Sequence, residues 1–330
     1  MSAIAMVELW RGGMLESQHL GHAVICRAGG EIAEAWGDPN ITIFPRSSCK
    51  MLQALPLMES GAADTAGLPD RQLALACASH QGAALHTDAV AQWLAGLGMA
   101  ETDLRCGSHF PDDRPARNAL IKTDDSPCQF HNNCSGKHAG FLTLNQYLRG
   151  GPEYVDPTHP VQQAVRAATE EVAGETSPLY GIDGCSAPNF ALSLHGLARA
   201  MAFFAGANPE GDLRNRAAAR LTRAMAAFPE MVAGEGRACT ALMRAMGGRV
   251  AVKTGAEAVF VAILPDQKLG VALKITDGTT RASEAAIAAL LVHLGALDAA
   301  HPTAQAYINT PQRNWRGFET GQLRIANGFV

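Results

Sequence analysis

An α/β fold, with a mixed but mainly antiparallel sheet built from both ends of the chain and a helical lobe between them, follows from three features of the 330-residue sequence. Strand-like segments separated by turn residues fill the start of the chain. Apolar residues recur every three or four positions through an alanine-rich middle, and strand periodicity returns after Gly247-Gly248. Strands at both termini around a helical insert predict a single domain over 1–330, with a sheet lobe of about 1–45 and 247–330 and a helical lobe of about 46–246.

The elements follow in order. Ile4–Trp10, His19–Arg27 and, after a Gly29-Gly30 turn, Glu31–Trp36 read as a β meander. Helical spacing marks Arg46 to about Ser60, Leu73–Ala78, Leu85–Leu97, Ala139–Leu148, Val161–Val172, Phe190–Phe204 and Leu213–Met225. Arg249–Lys253, Ala258–Leu264 and Lys268–Thr276 read as strands, the last two forming a hairpin closed by Pro265-Asp266-Gln267. Thr280–Leu294 is an alanine-rich helix, and Trp315–Arg324 returns as a final strand.

Composition narrows the function classes. With 47% hydrophobic and 18% charged residues and a net charge of −4, the chain offers no block of like charge to nucleic acid or to an anionic membrane surface. No apolar run reaches the length of a membrane span. The start, Met1-Ser2-Ala3-Ile4-Ala5-Met6-Val7-Glu8, lacks the basic n-region of an export signal, which implies a cytoplasmic protein. The cysteines Cys26, Cys49, Cys77, Cys106, Cys128, Cys134, Cys185 and Cys239 are then expected as reduced thiols.

Chemistry enters at Ser47 and Lys50, an S-x-x-K pair. A serine hydroxyl needs a base, and a lysine serves as one only where burial or a neighbouring cation keeps it partly neutral. On a helix from Arg46 the two side chains lie one turn apart on one face, with main-chain N–H groups and the positive dipole end close to Ser47. The bland alternative is a solvated serine at a helix start. Lys253-Thr254-Gly255 is the more restrictive motif, because it falls at the end of one expected strand and before another. The two signatures accompany Ser-Asp-Asn in S-x-x-K acyl transferases and class A β-lactamases. That third signature is missing, and Ser79-His80-Gln81 is the best stand-in, able to point a second hydroxyl into the cleft.

A second constellation is His131-Asn132-Asn133-Cys134-Ser135-Gly136-Lys137-His138, with Asp183-Gly184-Cys185 further on. Cys134 and Cys185, with a lysine, histidine or aspartate, would suit zinc, although the spacing is not C-x-x-C and lysine is a rare ligand. The competing reading is two buried thiols with His131 and His138 satisfied in the core.

Arg46-Ser47-Ser48-Cys49-Lys50, Ala78-Ser79-His80, the block from His131 to Gly140, Gly181-Ile182-Asp183-Gly184-Cys185 and Lys253-Thr254-Gly255-Ala256-Glu257 together resemble the rhizobial-type L-asparaginases, the asparaginase II family. The resemblance runs from about Val7 to Asn327. It implies a fold similar to serine β-lactamases and penicillin-binding proteins, a homodimer, and hydrolysis of the side-chain amide of L-asparagine. By position it implies that Ser47 and Lys50 form one Ser-Lys pair and Ser79 and Lys253 a second. Cys134, Lys137 and Cys185 match a zinc site close to the reaction centre, with Asp183 beside it. Relative to longer members the chain is compact between Gly150 and Gly181.

The expected mechanism is double displacement. Ser47 attacks the carboxamide carbon, ammonia leaves, and water cleaves the β-aspartyl ester. Lys50 is the expected base, its pKa lowered by Lys253, with Ser79 relaying a proton between the lysines. Arg46 is expected to hold the substrate α-carboxylate and Asp183 its α-ammonium, with polar help from His80 or Asn133. The competing functions are a glutamine-directed amidohydrolase, a penicillin-recognising acyl enzyme, and a non-catalytic zinc-binding protein.

Overall fold

The computed structural model describes residues 2–330. Its strands are β1 (Ile4–Arg11), β2 (Met14–Arg27), β3 (Ile32–Trp36), β4 (Thr42–Ile43), β5 (Tyr180–Ile182), β6 (Pro188–Phe190), β7 (Leu192–Ser193), β8 (Ala251–Thr254), β9 (Val259–Leu264), β10 (Leu269–Ile275), β11 (Asn309–Arg313) and β12 (Glu319–Ile325). Its helices are α1 (Lys50–Glu59), α2 (Ala62–Thr65), α3 (Asp70–Ala76), α4 (Ala84–Gly96), α5 (Arg114–Thr123), α6 (Ser135–Leu148), α7 (Pro160–Ala173), α8 (Leu194–Gly206), α9 (Leu213–Ala227), α10 (Pro229–Val232), α11 (Ala238–Ala245), α12 (Thr280–His293) and α13 (Pro302–Ile308).

One eight-stranded sheet runs β11-β12-β1-β2-β10-β9-β8, with β3 also against β2. The N-terminal strands therefore sit between C-terminal ones, as strands at both ends of the sequence predicted. Every described pairing is antiparallel, so the parallel share of a mixed sheet is absent among the described residues. The 14-residue β2 is the spine: Met14–Gly21 pairs with β1, and Gly21–Arg27 pairs with β10. Six successive residues of β9, Val-Phe-Val-Ala-Ile-Leu, are all buried. Successive side chains point to opposite faces, so this strand is covered on both, and α8 and α12 both pack against β9 and β10. Gly270 on β10 allows α8 its close approach, since a Cβ there would lie 2.0 Å from the Ala202 nitrogen.

The lobe of helices is built around α1, buried along nearly its whole length and packed against α6, α7 and α9. A helix apolar on all sides needs neighbours on all sides. No described helix is long and apolar enough to cross a membrane.

Four sequence expectations shift. The α-helix expected from Arg46 begins only at Lys50; Arg46–Cys49 is a 3₁₀ turn, and Arg46 has a left-handed φ of +54°. The helix expected over Phe190–Phe204 is interrupted, because β6 and β7 precede α8 and the Ser193 hydroxyl caps it by accepting the Gly196 N–H at 2.8 Å. β2 begins at Met14, well before His19, because the Gly12-Gly13 turn closes a hairpin directly onto β1. The terminal strand is two, β11 and β12, with Trp315 fully exposed in the turn between them. A polar edge ribbon of this kind carries little apolar periodicity to read.

Candidate active site

Three elements converge on one serine. The loop after α3 carries Ser79, whose N–H donates to the Val232 carbonyl at 2.9 Å while the next N–H, of His80, donates to the Asn133 carbonyl at 3.1 Å. The first residue of α1, Lys50, and the third of β8, Lys253, are both 1% exposed. The Ser79 Oγ lies 3.0 Å from Lys50 Nζ and 2.8 Å from Lys253 Nζ. Lys50 also donates to the Ala78 carbonyl and reaches the Cys134 Sγ at 3.0 Å; Lys253 donates to the Thr254 carbonyl at 2.8 Å.

Burial first, then the charge of Lys50, push the Lys253 ammonium down to about 7. The sequence placed such a lowering on Lys50; the structure places one on Lys253. With Lys253 neutral, Ser79 accepts from Lys50 and donates to Lys253, so the pair of contacts has a polarity.

Gly255 explains why the third residue of Lys-Thr-Gly is glycine. A Cβ there would stand 2.7 Å from the Pro45 carbonyl oxygen and 3.1 Å from the Ser48 nitrogen, both backbone atoms of the turn that carries Ser47. The strand bearing one lysine thus lies directly against the turn bearing the serine. Gly255→Ala is expected to push them apart, costing about 1–3 kcal/mol of stability and lowering kcat by about tenfold or more. Thermal melting and an ammonia-release assay check this; unchanged kcat would show that the spacing is not critical.

Ser47 is half-buried in that turn and borders a pocket of about 210 Å³ with Arg46, His109, Asn132, Asn133, Cys134, Asp183, Gly184, Cys185 and Ala256. Its hydroxyl makes no hydrogen bond among the described residues, so the Ser47–Lys50 contact expected from S-x-x-K is not closed in this structure. The pocket falls below the 300–1,000 Å³ typical of sites for drug-sized ligands and suits a small metabolite.

Arg46 and Asp183, expected to take opposite ends of the substrate, face each other across the pocket wall: Arg46 Nη2 and Nε donate to Asp183 Oδ1 at 2.8 and 3.1 Å. Burial opposes the Asp183 charge most strongly, but the Arg46 hydrogen bonds, the Arg46 charge and the Gly184 N–H together hold the carboxyl below its usual range. Asn133 lines the pocket as expected, its Oδ1 accepting from the Cys134 thiol at 3.1 Å.

His80 does not fit its expected substrate contact. Its fully buried ring stacks on His86, its Nδ1 accepts the Gly82 N–H at 3.1 Å, and its Nε2 lies 2.9 Å from the Ser135 hydroxyl. Burial keeps it neutral, and the Gly82 contact makes Nε2 the protonated nitrogen, so the ring braces the start of α6. Adjacency to Ser79 in sequence suggested the site; the backbone turn sends the two side chains apart.

Beside the lysine pair, Cys134 and Cys185 act on each other, their mutual interaction holding the Cys134 thiol well above and that of Cys185 well below the ordinary range, which favours Cys185 as the thiolate. Lys137 Nζ is 3.0 Å from Cys185 Sγ. Although burial opposes its charge, the two sulfurs hold Lys137 above the ordinary lysine range. Two sulfurs and a lysine nitrogen that gives up its proton on binding would suit a borderline-soft divalent ion. No group of three or more His, Cys, Asp or Glu in a metal-holding arrangement occurs among the described residues. All eight cysteines are free.

The pocket also includes residues without an expected role. Asn132, Gly184 and Ala256 lie inside the motif segments, so proximity was a signal; His109 had none, since its loop has no periodicity. The His109 Nε2 accepts the Asn133 N–H at 3.0 Å, which fixes that wall.

Among solved structures, the chain is similar to Mglu in its native form (TM-score 0.47, 14% identity, covering 83% of this chain and 64% of that one). It is also similar to a putative β-lactamase from Bacteroides dorei DSM 17855 (0.44, 11%, 82% and 93%) and to a β-lactamase from Mycobacterium bovis (0.43, 13%, 83% and 94%). It spans just under two thirds of the length of Mglu. The comparison with curated proteins returns no match. The family described as L-asparaginase II matches residues 7–325, and with nearly the whole sequence inside that match the chain belongs to the L-asparaginase II family of amidohydrolases.

Proposed function

We propose that the chain hydrolyses the side-chain amide of L-asparagine to L-aspartate and ammonia, with Ser47 as nucleophile. The observation that carries this reading is Ser79 held between two fully buried lysines, one of which reaches Cys134 in the wall of the pocket that Ser47 borders. Neutral Lys253 takes the Ser79 proton, Ser79 takes one from Lys50, and Lys50 takes the Ser47 proton as its oxygen bonds to the carboxamide carbon. Apo contacts of this kind tighten on substrate binding, and the Ser47–Lys50 contact has to close. The protons return along the same chain to the leaving nitrogen, and the C–N bond breaks with release of ammonia. Water then adds to the ester carbon and restores the Ser47 hydroxyl.

Arg46 and Asp183 offer charges of both signs at the pocket wall, which suits an α-amino acid better than an uncharged amide. The pocket volume favours asparagine or glutamine over a bulky β-lactam. Cys134, Lys137 and Cys185 would hold zinc, which would supply a fixed positive charge beside the pocket. Assembly as a homodimer in the cytoplasm belongs to the same reading, and light scattering at twice the 34.7 kDa chain mass checks the dimer.

An amidase panel of asparagine, glutamine and β-aspartyl compounds, with and without a chelator, tests the whole. Asparagine should release ammonia fastest. Cys134→Ala should lose stoichiometric zinc; retention of it would remove this metal site.

A further inference from the structure

The imidazole of His138 is fully buried one residue beyond Lys137, and no step above uses it. Its Nδ1 lies 2.9 Å from the Tyr154 hydroxyl. That hydroxyl already accepts the Arg105 N–H at 2.8 Å, and His138 Nδ1 is the one acceptor within reach of its own proton among the described residues. Tyr154 is itself 0% exposed, so water does not offer an alternative. The Tyr154 O–H therefore donates to Nδ1, and the His138 proton sits on Nε2. This Nε2 is buried and makes no hydrogen bond in the structure; with Nδ1 taken by Tyr154, it is the nitrogen left for Cys185, the sulfur held 3.0 Å from the neighbouring Lys137 and the one with which the ring interacts. A buried donor without an acceptor is costly, so the arrangement is incomplete as it stands.

We infer that His138 is the positioning donor for the Cys185 sulfur when the Cys134–Lys137–Cys185 cluster holds its metal, with Tyr154 fixing which ring nitrogen carries the proton. This rests on the zinc reading above. The relay from the Arg105 backbone through Tyr154 and His138 thus ties the loop around Arg105 to one metal ligand. Groups placed in this way orient first ligands and typically change metal affinity by about 10–100-fold.

The test uses the full chain loaded with zinc or with cobalt(II). Zinc affinity is read by chelator competition, and the sulfur-to-cobalt charge-transfer band reports the donor strength of the sulfur. His138→Leu is expected to weaken zinc binding by about 10–100-fold and to shift the band. His138→Gln, whose amide N–H reaches the Nε2 position, should restore most of both. Tyr154→Phe should shift the band while leaving every ligand in place. If His138→Leu does not fold, His138→Gln and Tyr154→Phe still decide: wild-type spectra in Tyr154→Phe, or loss in His138→Gln as large as a ligand deletion, would overturn the inference. A folded His138→Leu with wild-type affinity and spectrum would overturn it too, with the zinc site intact. Wild-type protein that takes up no metal would remove the zinc reading and this inference together.

Discussion

Ammonia release from L-asparagine is expected to fall by at least about 10³-fold in Ser47→Ala, with melting behaviour close to wild type. The argument is steric. Ser79 is 5% exposed and its oxygen is held by two lysines, whereas Ser47 is half-buried, borders the pocket and has a free hydroxyl. An oxygen that must form a bond to a substrate carbon has to be reachable from the pocket. Removing Oγ at position 47 deletes only a partly exposed group without hydrogen bonds, so stability should change by less than about 0.5 kcal/mol. Lys50→Ala should be comparably inactive but much less stable, since it empties a fully buried site and leaves Ser79 and the Ala78 carbonyl short of a donor. Intact-mass analysis of acid-quenched reactions should find the aspartyl adduct on Ser47 in wild-type protein. An active Ser47→Ala, or an adduct mapped to Ser79, would exchange the roles of the two serines.

The second large effect concerns Lys253, where activity and stability are expected to move in opposite directions. Its ammonium is pushed down from the ordinary 10.5 to about 7 by burial and by Lys50. The neutral form is the proton acceptor, so kcat should rise with pH through about 7 and level off above it. Stability follows from the same shift. Between about pH 7 and 10.5 the unfolded chain binds a proton that the folded chain does not. The contribution of this group therefore grows more favourable as pH rises across that window and is most unfavourable below it. Lys253→Met keeps the length and apolar stem while removing the titration. It should lower kcat by about 10²–10⁴-fold and stabilise the fold at pH 7 by an amount on the order of 1–3 kcal/mol. Denaturant unfolding at pH 7 and pH 10 separates these effects, because the gain should shrink at the higher pH. A destabilised Lys253→Met at both pH values would mean that the hydrogen bonds to Ser79 and Thr254 outweigh the burial cost.

Much of this was legible in sequence because the relevant signals are local. Alternating and three-to-four periodicity report which face of an element is covered, and β8, β9, β10, α9 and α12 fall within a few residues of expectation. The S-x-x-K spacing and the Lys-Thr-Gly at a strand end marked both lysines, and the dense polar block before α6 marked the sulfur cluster. The polar ribbon of β11 and β12 escaped because it buries little, and the β6–β7 interruption because short strands and helices share apolar composition.

The sequence alone determined the fold class, the family and the chemical inventory: two serines, two lysines, two sulfurs and an extra lysine at motif positions. It could not rank them, because a side chain's reactivity depends on distance and burial, which local spacing does not encode. Tertiary structure decided that Ser79, 29 residues from Lys50 and 174 from Lys253, is the atom both lysines touch. It also decided that Lys253 is a lysine whose ammonium burial and Lys50 push down to about 7, that His80 turns into the core, and that Gly255 brings β8 against the Ser47 turn. Each of these is a property of long-range packing, where a few ångströms of separation or one buried charge sets which group can give or take a proton.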